Sequence, residues 1–262
     1  MAREPLSLVV TTLDNAATLA RCLDSAAFAD DILVLDSGST DATRDVARAH
    51  GARIEQHAFD DYAAQKQRAI ALARHDWILL LDADEALTPA AAAIIQRELR
   101  APRAAGYRLP RREQMFWTFQ HRRSRINTHL RLFDRRHGGM NAVPVHAAPE
   151  VRGRVRTLRA AVFLHFGEPD IATKVRKLND YSSGLVAHKR ARGTRFVRTR
   201  MLLYPPLFFL RQYLFKRYFL NGWAGYISAA SGAWYVFLKY AKLYEARRDQ
   251  GGAGDDSGGR AS

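Results

Sequence analysis

The chain has 262 residues, 47% of them hydrophobic, and a formal net charge of +15 at pH 7. This length and apolar content support one large domain, or a domain with an appendage, and exclude global disorder. Cys22 is the single cysteine, which excludes an internal disulfide and indicates a reducing compartment. The first residues lack the long apolar stretch of a secretory signal. The positive charge indicates an anionic partner, such as nucleic acid, anionic lipid or a phosphorylated substrate, unless it serves solubility alone.

Strand-like and helix-like segments alternate over the first hundred residues. The strands are predicted at Leu6–Thr12, Asp31–Asp36, 52–58 and Trp77–Asp82, and the helices at 15–28, 39–51, 60–75 and 88–100. Ser39 or Thr40 is expected to cap the second helix, and Thr88 the fourth. This repetition predicts an α/β fold with a mostly parallel sheet and helices on both faces.

Polar residues follow three of these strands, at 11–15, 36–41 and 82–85. Ligands of parallel sheets bind beyond the carboxyl ends of the strands, so the three polar ends predict a ligand site at one edge. After residue 102 the pattern is less regular, with short strands expected at 105–110, 129–133 and 161–166. From 171 onwards the spacing is helical, and the Gly-rich tail at 249–262 is expected to be disordered.

The loop "VLDSGSTDAT" has two interpretations. Asp36 at its start is placed to accept hydrogen bonds from a nucleotide base or ribose. Alternatively, the small residues and the turn at Gly38 only build a strand-to-helix connection.

The segment "LLLDADEA" carries Asp82 and Asp84 directly after a buried strand. Two carboxylates at this spacing can hold Mg²⁺ or Mn²⁺ on a diphosphate, since these ions bind through one or two carboxylates together with phosphate oxygens. In the alternative interpretation, Asp84 and Glu85 only favour the N-terminus of the next helix. The strand before the pair and the loop at Asp36 favour the metal site.

Four motifs of this half resemble those of family 2 glycosyltransferases with the GT-A fold: "LSLVVTTLDNAATLARCLDSA", "DDILVLDSGSTDAT", "YAAQKQRAIALA" and "WILLLDADEALTP". The resemblance implies a donor site in which Lys66 lies toward the phosphates and Asp82, Ala83 and Asp84 form the DxD element on ribose and metal. The nucleoside pocket would be lined by Thr11, Asp36 and Ser37. Such enzymes invert the anomeric centre by direct displacement.

Further motifs narrow the resemblance to glucosyltransferases that extend the heptose of the lipopolysaccharide inner core: "HLRLFDR", "VPVH", "FLHF", "KLNDYSS" and "FLKYAKLYE". The resemblance implies a nucleotide-sugar donor, UDP-glucose, and a lipid-linked saccharide acceptor at the cytoplasmic face of the bacterial inner membrane. It also implies the domain division. Residues 1–102 would bind the nucleotide sugar, 103–170 the acceptor, and 171–248 would form a helical, membrane-associating extension.

The general base is the least defined part of the predicted site. This subgroup usually carries His-Glu where the chain has His146 and Ala147, and alanine cannot accept a proton. Glu150 is the nearest carboxylate and becomes the candidate base, with His146 as a second candidate or a structural residue. His165 is a possible further metal ligand, or a structural histidine.

The basic segment 111–125 interleaves arginine with aromatic residues. Such a segment can stack on nucleic-acid bases, contact anionic headgroups, bind a phosphorylated acceptor, or simply be solvated. A phosphorylated acceptor is favoured, because no nucleic-acid motif accompanies the segment. The uncharged stretch from Tyr218 to Leu238 approaches the length of a membrane span, but its small polar residues and flanking cations favour a helix lying on an anionic membrane surface.

Three functions are therefore compatible with the sequence. The sequence favours a metal-dependent inverting hexosyltransferase. A nucleotidyltransferase would also use paired acids on such a sheet, and a non-catalytic membrane-tethering relative would explain Ala147. The oligomeric state stays open.

Overall fold

The structure is a computed structural model that describes residues 2–141, 147–191 and 194–252. It separates into two compact units. The first comprises Met1–Glu113 and Ile126–Gly167, and the second comprises Gln114–Arg125 and Glu168–Ser262. The basic segment 111–125 is therefore divided between the two units.

Strands of the first unit form one large mixed sheet, in the order β3-β2-β1-β4-β8-β6-β12-β5, with β11 beside β6. The first four strands are parallel, and β8 joins β4 in the antiparallel sense. The strands are β1 (Leu6–Thr12), β2 (Asp31–Asp36), β3 (Arg53–Gln56), β4 (Trp77–Asp82), β5 (Glu85–Leu87), β6 (Gly106–Met115), β7 (Thr118–Phe119), β8 (Asn127–Asp134), β9 (Gly138–Met140), β10 (Pro149–Val151), β11 (Val155–Thr157) and β12 (Phe163–His165). Strands β9 and β10 form a separate two-stranded sheet, and β7 pairs with the end of β6.

Both faces of the central parallel strands β1, β2 and β4 are buried, as their continuous apolar sequences require. Leu8 and Val10 of β1 belong to one hydrophobic cluster, and Val9 belongs to the cluster on the opposite face. Four helices connect or flank these strands: α1 (Ala16–Ser25), α2 (Thr43–Ala49), α3 (Tyr62–Leu72) and α4 (Pro89–Glu98). Each fully buried leucine or valine contributes about 1.5–3 kcal/mol of transfer free energy, so the sheet is a rigid base for the loops at its carboxyl edge.

The predicted cap of α2 is wrong. The helix begins at Thr43 after Ala42, which makes no side-chain cap bond. Ser39 donates instead to Asp36, and the backbone N–H and hydroxyl of Thr40 donate to Asp14. The cap of α4 is confirmed, since the Thr88 hydroxyl accepts from the Ala91 N–H.

Helices dominate the second unit. They are α5 (Ile171–Ala191), α6 (Val197–Leu210) and α7 (Gly222–Gly252), and a π-helical turn (Arg211–Phe215) and a 3₁₀ turn (Tyr218–Asn221) connect α6 to α7. Pro205 and Pro206 both lie inside α6 and do not break it. Their fixed φ is compatible with a helix, although their missing N–H groups remove two ladder bonds. The helix α7 includes residues 249–252, where the tail was predicted to begin, and the rest of that tail lies outside the described residues.

The predicted α/β fold of the GT-A class, followed by C-terminal helices, is thus confirmed. Across the described ranges, no helix is long and apolar enough to cross a bilayer. Association of the C-terminal helices with a membrane surface stays a prediction.

Candidate functional site

The carboxyl ends of β1, β2 and β4 lie side by side. Thr11 pairs with Asp82 on one side and with Leu35 on the other, and Thr12 pairs with Asp36. This register places the residues predicted to bind the donor on one edge of the sheet.

Two cations hold the carboxylate of Asp82. Lys66 of α3 donates to its Oδ1 at 2.5 Å, and Arg131 of β8 donates to its Oδ2 at 3.0 Å. Burial alone would raise the pKa of Asp82, but the charges of Arg131 and Lys66 outweigh it and hold that pKa well below its usual range. Asp82 is therefore an ionised, fixed acceptor rather than a proton-transfer group.

The interpretation of Glu85 as a residue at a helix N-terminus is wrong. Glu85 is fully buried at the start of β5, four residues before α4 begins. Its carboxylate accepts from Arg131 at 2.6 Å, from Arg111 at 3.5 Å and from the Asp82 N–H at 3.1 Å. Burial raises the pKa of Glu85. Its role is to hold Arg131 and the turn that carries Asp84.

Arg131 is the central residue that sequence reasoning missed. The pairing of β6 with β8 shifts register here, because Tyr107 faces Leu132 while Arg108 faces Leu130. Arg131 is thus the extra residue of a β-bulge, a feature that commonly redirects a side chain next to a functional site. Burial opposes its charge, but Glu85 and Asp82 raise the pKa of the guanidinium further above its ordinary value. The available signal was an arginine within the otherwise apolar "HLRLF" strand.

Asp84 faces His165 rather than Lys66 or Arg131. The two side chains approach at 3.3 Å between Asp84 Oδ2 and His165 Nε2, and the other imidazole nitrogen contacts Glu113 at 2.5 Å. Burial lowers the pKa of His165, but hydrogen bonds and charges of Asp84 and Glu113 outweigh it and raise the pKa to about 10. A β-carbon at Gly167 would lie 2.6 Å from the imidazole, so glycine is needed there for the ring to keep this position.

These two side chains fit a divalent cation. Ligands in adjacent octahedral positions at about 2.1 Å from Mg²⁺ lie roughly 3 Å apart, which the separation of Asp84 Oδ2 and His165 Nε2 nearly matches. A carboxylate on the second imidazole nitrogen, as Glu113 provides, is the usual support of a metal-binding histidine. Within the ranges that the structure describes, no three His, Cys, Asp or Glu side chains form a metal cage. Diphosphate oxygens would therefore supply further ligands, and Asp82 is already engaged by cations.

The loop at Asp36 is tightly organised from within. Asp36 is fully buried and accepts from the N–H groups of Gly38 and Ser39 and from the Ser39 hydroxyl. Ser37 receives a hydrogen bond from the buried Gln65 side chain at 3.0 Å. Asp36 thus holds its own loop in shape, and its contact with a nucleoside stays a prediction.

Glu150, the candidate base, does not lie in the carboxylate cluster. Glu150 is exposed on β10, in the separate two-stranded sheet, where its Oε1 accepts from Asn141 at 3.0 Å. His146 lies outside the described residues, and Ala147 has no titratable group.

Two solved structures align with part of this chain. S. aureus TarS in complex with UDP-GlcNAc matches with a TM-score of 0.38 and 16% identity, over 42% of this chain and 35% of that chain. Glucosyl-3-phosphoglycerate synthase from Mycobacterium tuberculosis, in complex with Mn²⁺, UDP and glucosyl-3-phosphoglycerate, matches with a TM-score of 0.35 and 24% identity. That alignment covers 42% of this chain and 44% of that chain, so this chain spans less than half the length of either structure.

Curated relatives align along nearly the whole chain. The lipopolysaccharide core biosynthesis glycosyltransferase LpsC of Rhizobium meliloti is 31% identical over 251 residues, which cover 92% of each protein. An uncharacterized glycosyltransferase of Rickettsia felis is 26% identical over 93% of this chain and 90% of its own length. Residues 7–150, more than half of the chain, match the family described as Glycosyl transferase family 2. The chain therefore belongs to glycosyl transferase family 2.

Proposed function

We propose that this family 2 glycosyltransferase is an inverting, divalent-metal-dependent hexosyltransferase. Its donor would be UDP-glucose, and its acceptor the lipid-linked, phosphorylated heptose region of a lipopolysaccharide inner core. The observation that carries the proposal is the pair formed by Asp84 and His165. It lies next to Asp82, at the edge of the sheet where parallel α/β folds bind nucleotides.

The donor half of the reaction needs a stabilised diphosphate leaving group. When bound by Asp84 and His165, a Mg²⁺ or Mn²⁺ ion would neutralise the charge that develops on the diphosphate oxygens. Lys66 and Arg131 keep Asp82 ionised and in place, so that its carboxylate can accept from a ribose hydroxyl. Thr11, Ser37, Asp36 and Ala83 would complete the nucleoside side.

The acceptor half needs a base. The acceptor oxygen would form a bond to the anomeric carbon from the face opposite the leaving group, while the bond from that carbon to the diphosphate oxygen breaks. The proton of the acceptor hydroxyl would pass to a carboxylate, for which we propose Glu150, with His146 as the alternative. The products are a glucosylated acceptor with inverted configuration and UDP.

The assignment of the acceptor rests on the name of the Rhizobium relative and on the motifs shared with core glucosyltransferases. An acceptor of this kind is anchored in the inner membrane, so we place the reaction at its cytoplasmic face, with the enzyme bound peripherally.

A donor screen with purified protein, Mn²⁺ and a heptose-containing acceptor tests the proposal. We expect UDP release and glucosylated acceptor with UDP-glucose. The Asp84→Ala variant should lose transfer and Mn²⁺-dependent donor binding while keeping its circular dichroism spectrum.

The matched control is Asp45→Ala, which removes an exposed aspartate of α2 from the same unit and should keep full activity. Near-normal turnover of Asp84→Ala would refute the assigned site. Release of pyrophosphate in place of UDP would instead identify a nucleotidyltransferase.

A further inference from the structure

Two segments of the second unit, almost a hundred residues apart in sequence, are tied together by hydrogen bonds. Arg125 N–H donates to the Lys216 carbonyl at 3.1 Å, and the Ser124 hydroxyl donates to the Arg217 carbonyl at 3.2 Å. Asn221 accepts from the His121 N–H at 2.6 Å and donates to the Ser124 hydroxyl at 3.1 Å. The loop 120–125 is therefore fixed against the turns that connect α6 and α7.

This arrangement gathers cations that are separate in the sequence. We call them the basic surface: Arg122, Arg123, Arg125, Arg211, Lys216 and Arg217. All but Lys216 are exposed. The loop is not merely solvated, because Gln120 and Ser124 are buried beneath it and Gln120 donates to the Tyr218 hydroxyl. Its arginines are thus presented by an ordered backbone.

Large apolar side chains are exposed beside the basic surface. Leu214 and Phe215 are 51% and 67% exposed within the π-helical turn, and Trp223 is 75% exposed at the start of α7. Of the 21 large apolar side chains that are exposed in the described part of the chain, 16 belong to the second unit. Leu214 and Phe215 lie between the cations Arg211 and Lys216 in the sequence, and exposed apolar side chains beside charged ones are typical of an interaction surface.

Helices α6 and α7 also line a shallow, open apolar groove of about 620 Å³. Its lining residues include Pro205, Phe209, Leu210, Trp234 and Phe237. Leu210 directly precedes Arg211, so the chain passes from the groove into the basic surface without an intervening residue.

The charge of the region is of one sign. Residues 181–244 contain eleven lysines and arginines and no aspartate or glutamate. A second copy of the chain would bring two such surfaces together with like charges opposed, which disfavours self-association through this surface. A nucleic acid would match the cations but would leave the exposed aliphatic side chains without a partner.

We propose that the basic surface, with Leu214, Phe215 and Trp223, docks the protein onto an anionic lipid bilayer. The cations would contact headgroup phosphates, while the apolar side chains enter the boundary between headgroups and acyl chains. The basic surface belongs to the second unit and shares no residue with the donor site of the first, so docking is measurable without turnover.

Vesicle co-sedimentation of the full chain tests the docking surface. Phosphatidylglycerol-containing vesicles should bind the protein, and pure phosphatidylcholine vesicles should bind it weakly. The R122Q/R123Q/R125Q variant removes three cations, each worth about a fivefold change in partition, so its partition coefficient should fall about a hundredfold.

The charge-matched control is R152Q/R154Q/R159Q, which removes three exposed arginines of the first unit and should bind nearly as the wild type does. L214S/F215S should also release the protein, whereas F59S/L72S, which removes an exposed phenylalanine and leucine of the first unit, should not. Thermal unfolding confirms that each variant is folded.

Equal loss of vesicle binding in a variant and its control would overturn the proposal, because overall charge or non-specific hydrophobic adsorption would then explain the binding. If inorganic phosphate releases the protein from vesicles more than another salt does at the same ionic strength, the surface would be a site for free anions instead. A change from dimer to monomer in L214S/F215S would assign the surface to self-association. UDP-glucose binding is measured in parallel, so a failed donor assay with intact docking would refute the proposed function alone.

Discussion

Replacing Arg131 with methionine should strongly destabilise the first unit. The guanidinium is almost fully buried and lies 2.6 Å from the carboxylate of Glu85, which is 0% exposed, and 3.0 Å from that of Asp82. Methionine fills much of the volume but leaves the charge of Glu85 without its main partner. Removal of one partner from a buried ion pair costs about 3–5 kcal/mol, whereas an exposed pair contributes about 0–1 kcal/mol.

Urea unfolding of four proteins separates this charge effect from lost packing. R131M should lower the free energy of unfolding by about 3–5 kcal/mol. E85Q alone should lower the free energy of unfolding by less, because the amide of the new glutamine stays near Arg131. The double variant R131M/E85Q should recover about 2 kcal/mol relative to R131M, since a neutral amide replaces the unpaired charge.

R48M is the matched control. Arg48 lies 2.6 Å from Asp45, the same distance that joins Arg131 to Glu85, but both side chains are more than half exposed. Equal losses of unfolding free energy in R131M and R48M, or no recovery by E85Q in the R131M background, would contradict a buried-charge penalty at Arg131.

Two further predictions concern the chemistry of the site. E150Q should lower kcat about 10²- to 10⁴-fold with little change in donor KM, as loss of a general base does. A loss no larger than that of E55Q, at a partly exposed glutamate of β3, would remove Glu150 from this role. G167A should weaken Mn²⁺-dependent binding of UDP-glucose by about 10- to 100-fold, because the new β-carbon displaces the imidazole of His165. The control is G184A, because a β-carbon at Gly184 meets no atom within 4 Å. Calorimetry measures the affinity of each variant for UDP-glucose in the presence of Mn²⁺. Equal affinities of G167A and G184A would contradict the expected role of Gly167.

Local patterns were sufficient to predict the parallel half of the sheet. The bounds of β1, β2 and β4 agree with the structure, because a continuous apolar run between turn residues is a property of the segment itself. The donor-side residues follow these strands directly, so their common edge was also predictable.

The errors arose where a distant part of the chain decides the structure. The alternative interpretation of Glu85, that it favours the N-terminus of the next helix, fails because Glu85 begins β5, which pairs with β12, about eighty residues later. The bulge at Arg131 depends on the register between two strands, and Ser39 does not cap α2 because Asp36 takes its hydroxyl. Such choices depend on tertiary pairing, which periodicity does not contain.

The charges of the cluster explain why we propose different roles for the two aspartates in "DADE". Four carboxylates and four cations lie together, and each cation already has an acidic partner within 3.5 Å: Lys66 with Asp82, Arg131 with Asp82 and Glu85, Arg111 with Glu113 and Glu85, and His165 with Asp84 and Glu113.

With His165 protonated, this cluster has no net charge. A donor diphosphate would therefore bring uncompensated negative charge to the sheet edge, next to carboxylates that repel it. Asp82 is fixed by two strong cations, whereas Asp84 depends on the imidazole of His165, which can give up its proton and bind a metal through the same nitrogen. A divalent cation bound at Asp84, as we propose, would therefore add positive charge without displacing Lys66 or Arg131. Asp82, with its two cations in place, would keep the remaining charge balance fixed.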